Sequence, residues 1–315
     1  MSTSVSDLVV SAAKQDDAPG MVEVIHAAFG ARPALEPPST ASEETATSVA
    51  ATLGRGSGVY AQVRGRPAGA LLITATGATV ATFQRVSVHP DFQRHGIASA
   101  MVAMAEELAA RAGHRRVELF ARAEFAQTIA FWQHRGYLID RSAPYGVILA
   151  KDLPPVLVVP TGEAMQALGE RLAGLLRPGD VLIATGDLGA GKTTLTQGLG
   201  CGLGTAGPVI SPTFVLSRVH PSRDAGPALV HVDAYRLRSA EELDDLDLDA
   251  TVGDAVTVVE WGAGMAEGLA ESRLEIEIAV RPAPGAPDDV RLVALHGVGP
   301  RWADVDLHAL RSPCG

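Results

Sequence analysis

The sequence predicts an α/β protein of two domains, and three observations lead there. Short runs of branched apolar residues alternate with segments of helical period along most of the chain. A proline-containing break, Ala150-Lys151-Asp152-Leu153-Pro154-Pro155, falls near the middle of 315 residues, a length better suited to two cores than one. The apolar run Asp180 to Thr185 then leads into Gly186-Asp187-Leu188-Gly189-Ala190-Gly191-Lys192-Thr193-Thr194, a strand, glycine-rich loop and helix start in succession. The break sets the domains at residues 1–150 and 151–315.

In the first domain, Leu8 to Val10 reads as a short strand and Ala18 to Phe29 as a helix. Arg32 to Ser42, with Pro33, Pro37 and Pro38, is an internal loop, and Ser42 to Leu53 a second helix. Val59 to Val63 and Ala68 to Thr74 form a hairpin around Arg64-Gly65-Arg66-Pro67, which has turn chemistry. A strand from Thr82 to Val88 ends at His89-Pro90, and a helix runs from Ser99 to about Ala112. Val117 to Ala121 returns as a strand, and Ala126 to His134 closes as a helix before Gly136.

In the second domain, Thr161 caps a helix from Glu163 to Leu176, with Met165, Leu168, Leu172, Leu175 and Leu176 at near-helical spacing. Beyond the glycine-rich loop, Val209 to Phe214 precedes a strand and then Leu229 to Leu237. The acidic run Glu241 to Asp249 reads as a helix face, with Ser239 and Glu242 as its capping box; a docking surface for a basic partner is the alternative. Val256 to Trp261 is a strand of buried type ending in a carboxylate. Leu274 to Val280 and Val290 to Leu295, joined through Pro282 to Asp288, form a terminal hairpin. Arg301-Trp302 either closes over the loop's ligand or covers the core.

Composition narrows the function. No apolar run approaches the roughly 18 residues that span a bilayer, and Met1 to Asp7 lacks a basic stretch leading into an apolar one, so a cytoplasmic protein without a membrane is expected. Cys201 and Cys314 do not make a disulfide framework or a metal site. Residues 1–150 balance 13 Lys+Arg against 13 Asp+Glu, whereas residues 151–315 hold 13 against 23, so the net charge of −10 belongs to the second half. Unaided polyanion binding by that half is disfavoured, and any RNA is expected to be held by a partner.

The glycine-rich loop carries the sharpest chemistry. It fits G-x-x-x-x-G-K-[ST] and contains one of only three lysines in the chain. Gly189, Ala190, Gly191 and Thr194 belong to a backbone cradle for phosphates, Lys192 neutralises their charge, and the Thr193 hydroxyl suits Mg²⁺. Such a loop also needs an acid at a strand end, which Glu260 provides. Asp233, at a similar strand end, either holds a metal-bound water, positions the attacking water, or pairs with Arg236.

Two family resemblances follow. Gln93-Arg94-His95-Gly96-Ile97-Ala98, after a strand ending Val86-Ser87-Val88-His89-Pro90, resembles the acetyl-CoA loop Q/R-x-x-G-x-G/A of GNAT N-acetyltransferases; Phe131 to Tyr137 resembles a second segment of that family. The resemblance implies acetyl-CoA held by Val86, Val88, Gln93, Arg94, His95, Gly96, Ile97 and Ala98, and an acetyl acceptor that remains unknown. Trp132 stands where many members carry the tyrosine that reprotonates the thiolate, and an indole cannot do this. Glu118 is a candidate base or a solvated strand-face charge, and Tyr137 and Tyr145 are alternative acids. The second domain, over residues 156–302, resembles the TsaE family in its glycine-rich loop, Ser211 to Phe214, His231 to Leu237 and Val259-Glu260-Trp261.

The second resemblance implies an ATPase of weak intrinsic activity, acting with TsaB-type and TsaD-type proteins in tRNA threonylcarbamoyladenosine modification and meeting tRNA only through that complex. Lys192 would hold the phosphates of ATP, Thr193 and Glu260 the Mg²⁺, Asp233 would assist hydrolysis, and Thr213 would lie in a segment sensing the γ-phosphate. The expected architecture is a GNAT-like mixed α/β sheet followed by a P-loop NTPase-like α/β domain. A small-molecule P-loop kinase fused to a noncatalytic acyl-CoA-binding module is the other reading.

Overall fold

Two seven-stranded sheets organise the chain, one within Met1–Leu153 and one within Pro154–Gly315. The computed structural model describes residues 7–33, 36–212, 215–223, 226–246, 248, 253–281 and 290–311. The first sheet contains β1 (Leu8–Ala12), β2 (Ser57–Val63), β3 (Arg66–Thr76), β4 (Val80–Val88), β5 (Arg116–Arg122), β6 (Leu138–Ala143) and β7 (Gly146–Asp152) in the order β1-β2-β3-β4-β5-β7-β6. Its helices are α1 (Ala18–Gly30), α2 (Ala46–Arg55), α3 (Ile97–Arg111) and α4 (Ala126–Gln133).

Neighbours in this sheet are antiparallel except β4 and β5, which pair in parallel only from Val80 to Thr82 against Arg116 to Glu118. Beyond Thr82 the two strands part, so a wedge opens in the middle of the sheet. A register shift against β3, with Arg85 at φ 52°, marks the same stretch of β4 as bulged. Strand β3 is buried along most of its length: Ala70 and Leu72 pack with Met21, Ile25, Val49 and Leu53 of α1 and α2. Gly69 points the other way, and a Cβ there would lie 2.5 Å from the Met101 sulfur of α3, so a larger residue would require the Met101 side chain to shift.

Several local expectations need correction. The Arg64-Gly65 turn is two residues long, both at positive φ, as a tight hairpin requires, while Arg66 and Pro67 already belong to β3. Helix α2 begins at Ala46 rather than Ser42, because Thr45 and Ser48 exchange side-chain-to-backbone hydrogen bonds of 3.1 and 2.9 Å that fix its start. Helix α3 begins at Ile97, directly after Gly96. The β6–β7 hairpin had no counterpart in the sequence reading, since Leu138 to Ala143 is an exposed edge strand without alternating polarity.

The second sheet holds β8 (Val156–Val159), β9 (Val181–Gly186), β10 (Ser217–His220), β11 (Ala228–Asp233), β12 (Ala255–Glu260), β13 (Arg273–Arg281) and β14 (Val290–Val298), ordered β10-β11-β12-β9-β13-β14-β8. Strands β11, β12, β9 and β13 are mutually parallel, and antiparallel strands flank them. Helices α5 (Gly162–Ala173) and α6 (Lys192–Gly202) cover one face through Leu168, Leu172, Leu195 and Leu199. They approach so closely that a Cβ on Gly198 would lie 2.1 Å from the Gln166 carbonyl oxygen. Val181, Ile183, Val230, Val232 and Val259 fill the opposite face with Leu243 of α7 (Ala240–Asp244). Buried on both faces, β9 and β12 read as continuous apolar runs, as central parallel strands do.

Helix α5 ends at Ala173, short of Leu176, because the chain turns ahead of Arg177-Pro178, where helical backbone is disfavoured. In the acidic run, helix α7 stops at Asp244, and Asp247 and Asp249 lie outside the described residues. The Ser239 side chain makes no cap to it; Glu242 instead accepts the Arg238 N–H at 2.9 Å. The terminal hairpin forms with longer arms than its apolar cores suggested, and its Pro282–Asp288 connection lies outside the described residues. Among the described residues no helix is long and apolar enough to cross a membrane.

Candidate functional site

The carboxyl ends of parallel strands β9, β11 and β12 bring the main candidates together, at the position where open α/β sheets bind ligands. Gly186 leaves β9 at φ 144°, and a Cβ on it would meet the Ile278 carbonyl oxygen at 2.3 Å. Gly189 and Gly191 also take positive φ, and the chain turns through Ala190, which is buried, into α6. Lys192 and Thr193 occupy the first turn of α6, with Thr194 following. The Gly191 cap offers no side chain, so the helix's leading N–H groups are left for an anion.

The Lys192 side chain is buried, with 4% exposure, and its ammonium donates to the Gly186 and Asp187 carbonyl oxygens at 2.7 and 3.0 Å. It also lies 3.7 Å from the Trp261 ring centroid. Burial lowers its pKa, opposed by the charges of Glu260, Asp233 and Asp187. A buried cation held by carbonyls and an aromatic face, with no carboxylate in contact among the described residues, matches a site that receives a polyanion.

Glu260 ends β12, in register with Asp233 at the end of β11 and with Ala184 of β9. The Thr193 hydroxyl donates to Glu260 Oε2 at 3.0 Å. A buried carboxylate paired with a half-buried hydroxyl, both hard oxygen donors beside Lys192, fits Mg²⁺ in charge and ligand type. Asp233 is buried, and its Oδ1 accepts the Tyr235 N–H at 3.1 Å. Tyr235 and Trp261 rings stack at a tilt, 5.1 Å apart. Thr213 and Phe214 lie outside the described residues.

Two contacts were missed from sequence. His231 Nε2 bonds Glu260 Oε1 at 2.8 Å, and the Thr196 hydroxyl lies 3.4 Å from the same oxygen. The signals were present: His231 shares a strand face with Asp233, and Thr196 shares a helix face with Thr193. The alternative of Arg301 closing over the ligand is overturned. Arg301 pairs with Asp180 at 2.9 Å and donates to the Leu175 carbonyl, at the start of β9, whereas the glycine-rich loop follows its end. Trp302 packs in the core.

In the first unit, the candidate anion loop lies beyond the β4 half of the wedge. Val86 and Val88 are half-buried on that strand, and Gln93 reaches back to the Val88 carbonyl at 3.4 Å. Arg94 and His95 are exposed, Gly96 sits at φ 77°, and Ile97 and Ala98 open α3 without a side-chain cap. The first N–H groups of α3 therefore have no side-chain cap, and the residues leading into them are exposed.

The candidate proton-transfer groups are more constrained. Glu118 bonds Arg141 at 2.7 and 3.2 Å and pairs with Arg116, and the Arg141 hydrogen bond lowers its pKa. Trp132 is buried edge-on to Tyr137, 4.9 Å between centroids, and burial pushes the Tyr137 phenol far above its ordinary value, making it a weak acid. Tyr145 is exposed in the β6–β7 turn. An acid that sequence reading overlooked, Glu44, comes from the α1–α2 connection and bonds Arg85 at the β4 bulge at 2.8 Å.

Comparison with known proteins accounts for both units. Residues 159–284 match the family of the threonylcarbamoyl adenosine biosynthesis protein TsaE, and residues 24–137 match the acetyltransferase (GNAT) family. The chain is 56% identical over 147 residues to the tRNA threonylcarbamoyladenosine biosynthesis protein TsaE of Streptomyces coelicolor, covering 46% of this chain and 99% of that protein. It is 40% identical over 141 residues to the protein of that name from Bacillus subtilis, covering 44% and 84%. Among solved structures, PaiA N-acetyltransferase from Thermoplasma acidophilum in complex with coenzyme A is similar at 13% identity and a TM-score of 0.42, over 46% of this chain and 99% of that one. With nearly the whole of a TsaE protein aligned at more than half identity, the chain belongs to the TsaE family of tRNA threonylcarbamoyladenosine biosynthesis proteins, and it joins that domain to an amino-terminal GNAT acetyltransferase domain.

Proposed function

We propose that residues 151–315 form a Mg²⁺-dependent ATPase domain serving tRNA threonylcarbamoyladenosine modification, in a cytoplasmic complex with TsaB-type and TsaD-type proteins that hold the tRNA. Residues 1–150 form a fused domain that binds acetyl-CoA. The observation that carries the first reading is the buried Lys192 ammonium at the head of α6, beside the Thr193–Glu260 pair. The loop's N–H groups and Lys192 bind the phosphates, and Gly189, Ala190, Gly191 and Thr194 shape their cradle. Thr193 and Glu260 hold the metal, which supplies charge neutralisation when bound. Asp233, in register with Glu260 on the neighbouring strand, orients the attacking water, and Thr213 belongs to the segment that senses the nucleotide.

The test is release of ADP and free phosphate by the full chain. Lys192→Ala is expected to abolish it, since the only lysine in the site is lost. Glu260→Gln should keep nucleotide binding but lose the magnesium dependence of hydrolysis, because an amide is a poorer ligand for a hard cation. Wild-type turnover in Lys192→Ala would refute the assignment, and a phosphorylated metabolite in place of free phosphate would make the domain a kinase.

For the first domain, the open wedge beside Val86 and Val88 and the capless helix start after Gly96 support acetyl-CoA binding by Gln93, Arg94, His95, Ile97 and Ala98. Trp132 and Tyr137 are both packed inside, which favours an acyl-CoA-binding role over transferase chemistry using a phenol from that segment. CoA release in the presence of candidate amines distinguishes the two.

A further inference from the structure

We propose that His231 is a positioning residue for Glu260, holding one carboxylate oxygen so that the other faces Thr193 and the metal. This rests on the reading of Thr193 and Glu260 as the Mg²⁺-binding pair. A glutamate has a soft terminal torsion, and a carboxylate at a strand end is free to rotate unless something fixes it. Here its two oxygens are engaged separately: Oε1 by His231 Nε2 at 2.8 Å, with Thr196 Oγ1 at 3.4 Å, and Oε2 by Thr193 Oγ1 at 3.0 Å.

The placement follows from the sheet. His231 faces Val258 in register, and Glu260 is two residues further along β12, so the two side chains are diagonal neighbours on one face. Leu229, Val256 and Val258 belong to the apolar cluster of that face, and His231 has 0% exposure. Its other ring nitrogen, Nδ1, is buried without a hydrogen-bond partner among the described residues. An imidazole kept there only to fill space would be better replaced by an aliphatic side chain, because burying a polar nitrogen unpaired is unfavourable. Among the described residues, the bond to Glu260 is the one hydrogen bond of its ring and explains the residue. Because a carboxylate oxygen only accepts, Nε2 is the donor in this bond.

The test uses the full chain and ADP affinity by calorimetry, once in EDTA and once across a magnesium titration, with folding followed by thermal melting. In wild type, magnesium should tighten ADP binding. In His231→Leu the magnesium midpoint should rise by about tenfold or more, the usual effect of losing a group behind a metal ligand, while ADP affinity in EDTA stays unchanged. Two polar variants keep the idea open to refutation should His231→Leu not fold. Gln extends its amide to about where Nε2 stood and should restore the midpoint, whereas Asn reaches only as far as Nδ1 and should not. Equal midpoints for Gln and Asn, an unshifted midpoint in a folded His231→Leu, or an equal loss of ADP affinity in EDTA would each overturn the positioning role. A wild-type protein whose ADP affinity ignores magnesium would instead refute the metal reading itself and this inference with it.

Discussion

At the scale of single residues, conformation and chemistry separate most clearly at Gly96. A Cβ built there meets nothing within 4 Å, so packing does not demand glycine; its φ of 77° does. Gly96→Ala should therefore cost only about 1 kcal/mol of backbone strain. Gly96→Glu adds a negative side chain at the mouth of the candidate anion site. Calorimetry should show acetyl-CoA affinity falling by about tenfold or more in Gly96→Glu, with Gly96→Ala between it and wild type; equal affinities in all three would remove the loop from the cofactor site. Lys192 presents the opposite case, a residue whose burial is unfavourable for its charged form and which the proposed phosphate ligand would explain.

At the scale of elements, one polar contact ties a strand to its surroundings. The half-buried Arg301 and the buried Asp180 make an ion pair that fastens the segment after β14 to the start of β9. Removing one partner leaves the other charge buried alone, so Arg301→Ala should destabilise the protein by about 3 kcal/mol or more. Because the pair lies at the far end of β9 from the glycine-rich loop, the KM for ATP should not change; a raised KM in the folded variant would reinstate Arg301 as a nucleotide contact.

Burial lowers the pKa of His220, on β10, and His231 and Arg218 lower it further. Below the ordinary imidazole value of about 6.5 the unfolded chain takes up a proton that the folded chain resists, so the folded state loses stability as pH falls. Denaturation at about pH 7.5 and about pH 5.5, either side of that value, should show wild type losing more stability than His220→Phe. An identical loss in both would show that His220 makes no contribution.

For the whole molecule, charge decides what binds unaided. The second half carries 23 acidic residues against 13 basic ones, and phosphate contacts need Lys or Arg. The isolated protein should bind tRNA weakly at physiological salt, while the ATP-loaded chain should capture a TsaB–TsaD-type assembly in a pull-down. Tight, tRNA-specific binding in a gel shift without any partner would overturn this arrangement, as would failure of the pull-down.

How much was legible follows from the range of the interactions. The glycine-rich loop, the flanking strand and helix, the hairpin at Arg64-Gly65 and the strand-end Glu260 are local: each depends on neighbours within a few residues, through backbone dihedrals and periodicity, and the sequence alone determined them. The TsaE membership and the GNAT-like domain were legible too, because ordered motifs in one chain point to a family without coordinates. The β6–β7 hairpin escaped because an exposed edge strand has no polarity pattern. Capping at Thr45 and Ser239 was decided by competing local hydrogen bonds. Only the tertiary structure could decide the wedge between β4 and β5, the Arg301–Asp180 pair and the convergence of His231, Thr196 and Thr193 on Glu260. Those contacts join residues far apart in the chain, and strand order and register, which no local pattern encodes, fix which side chains meet.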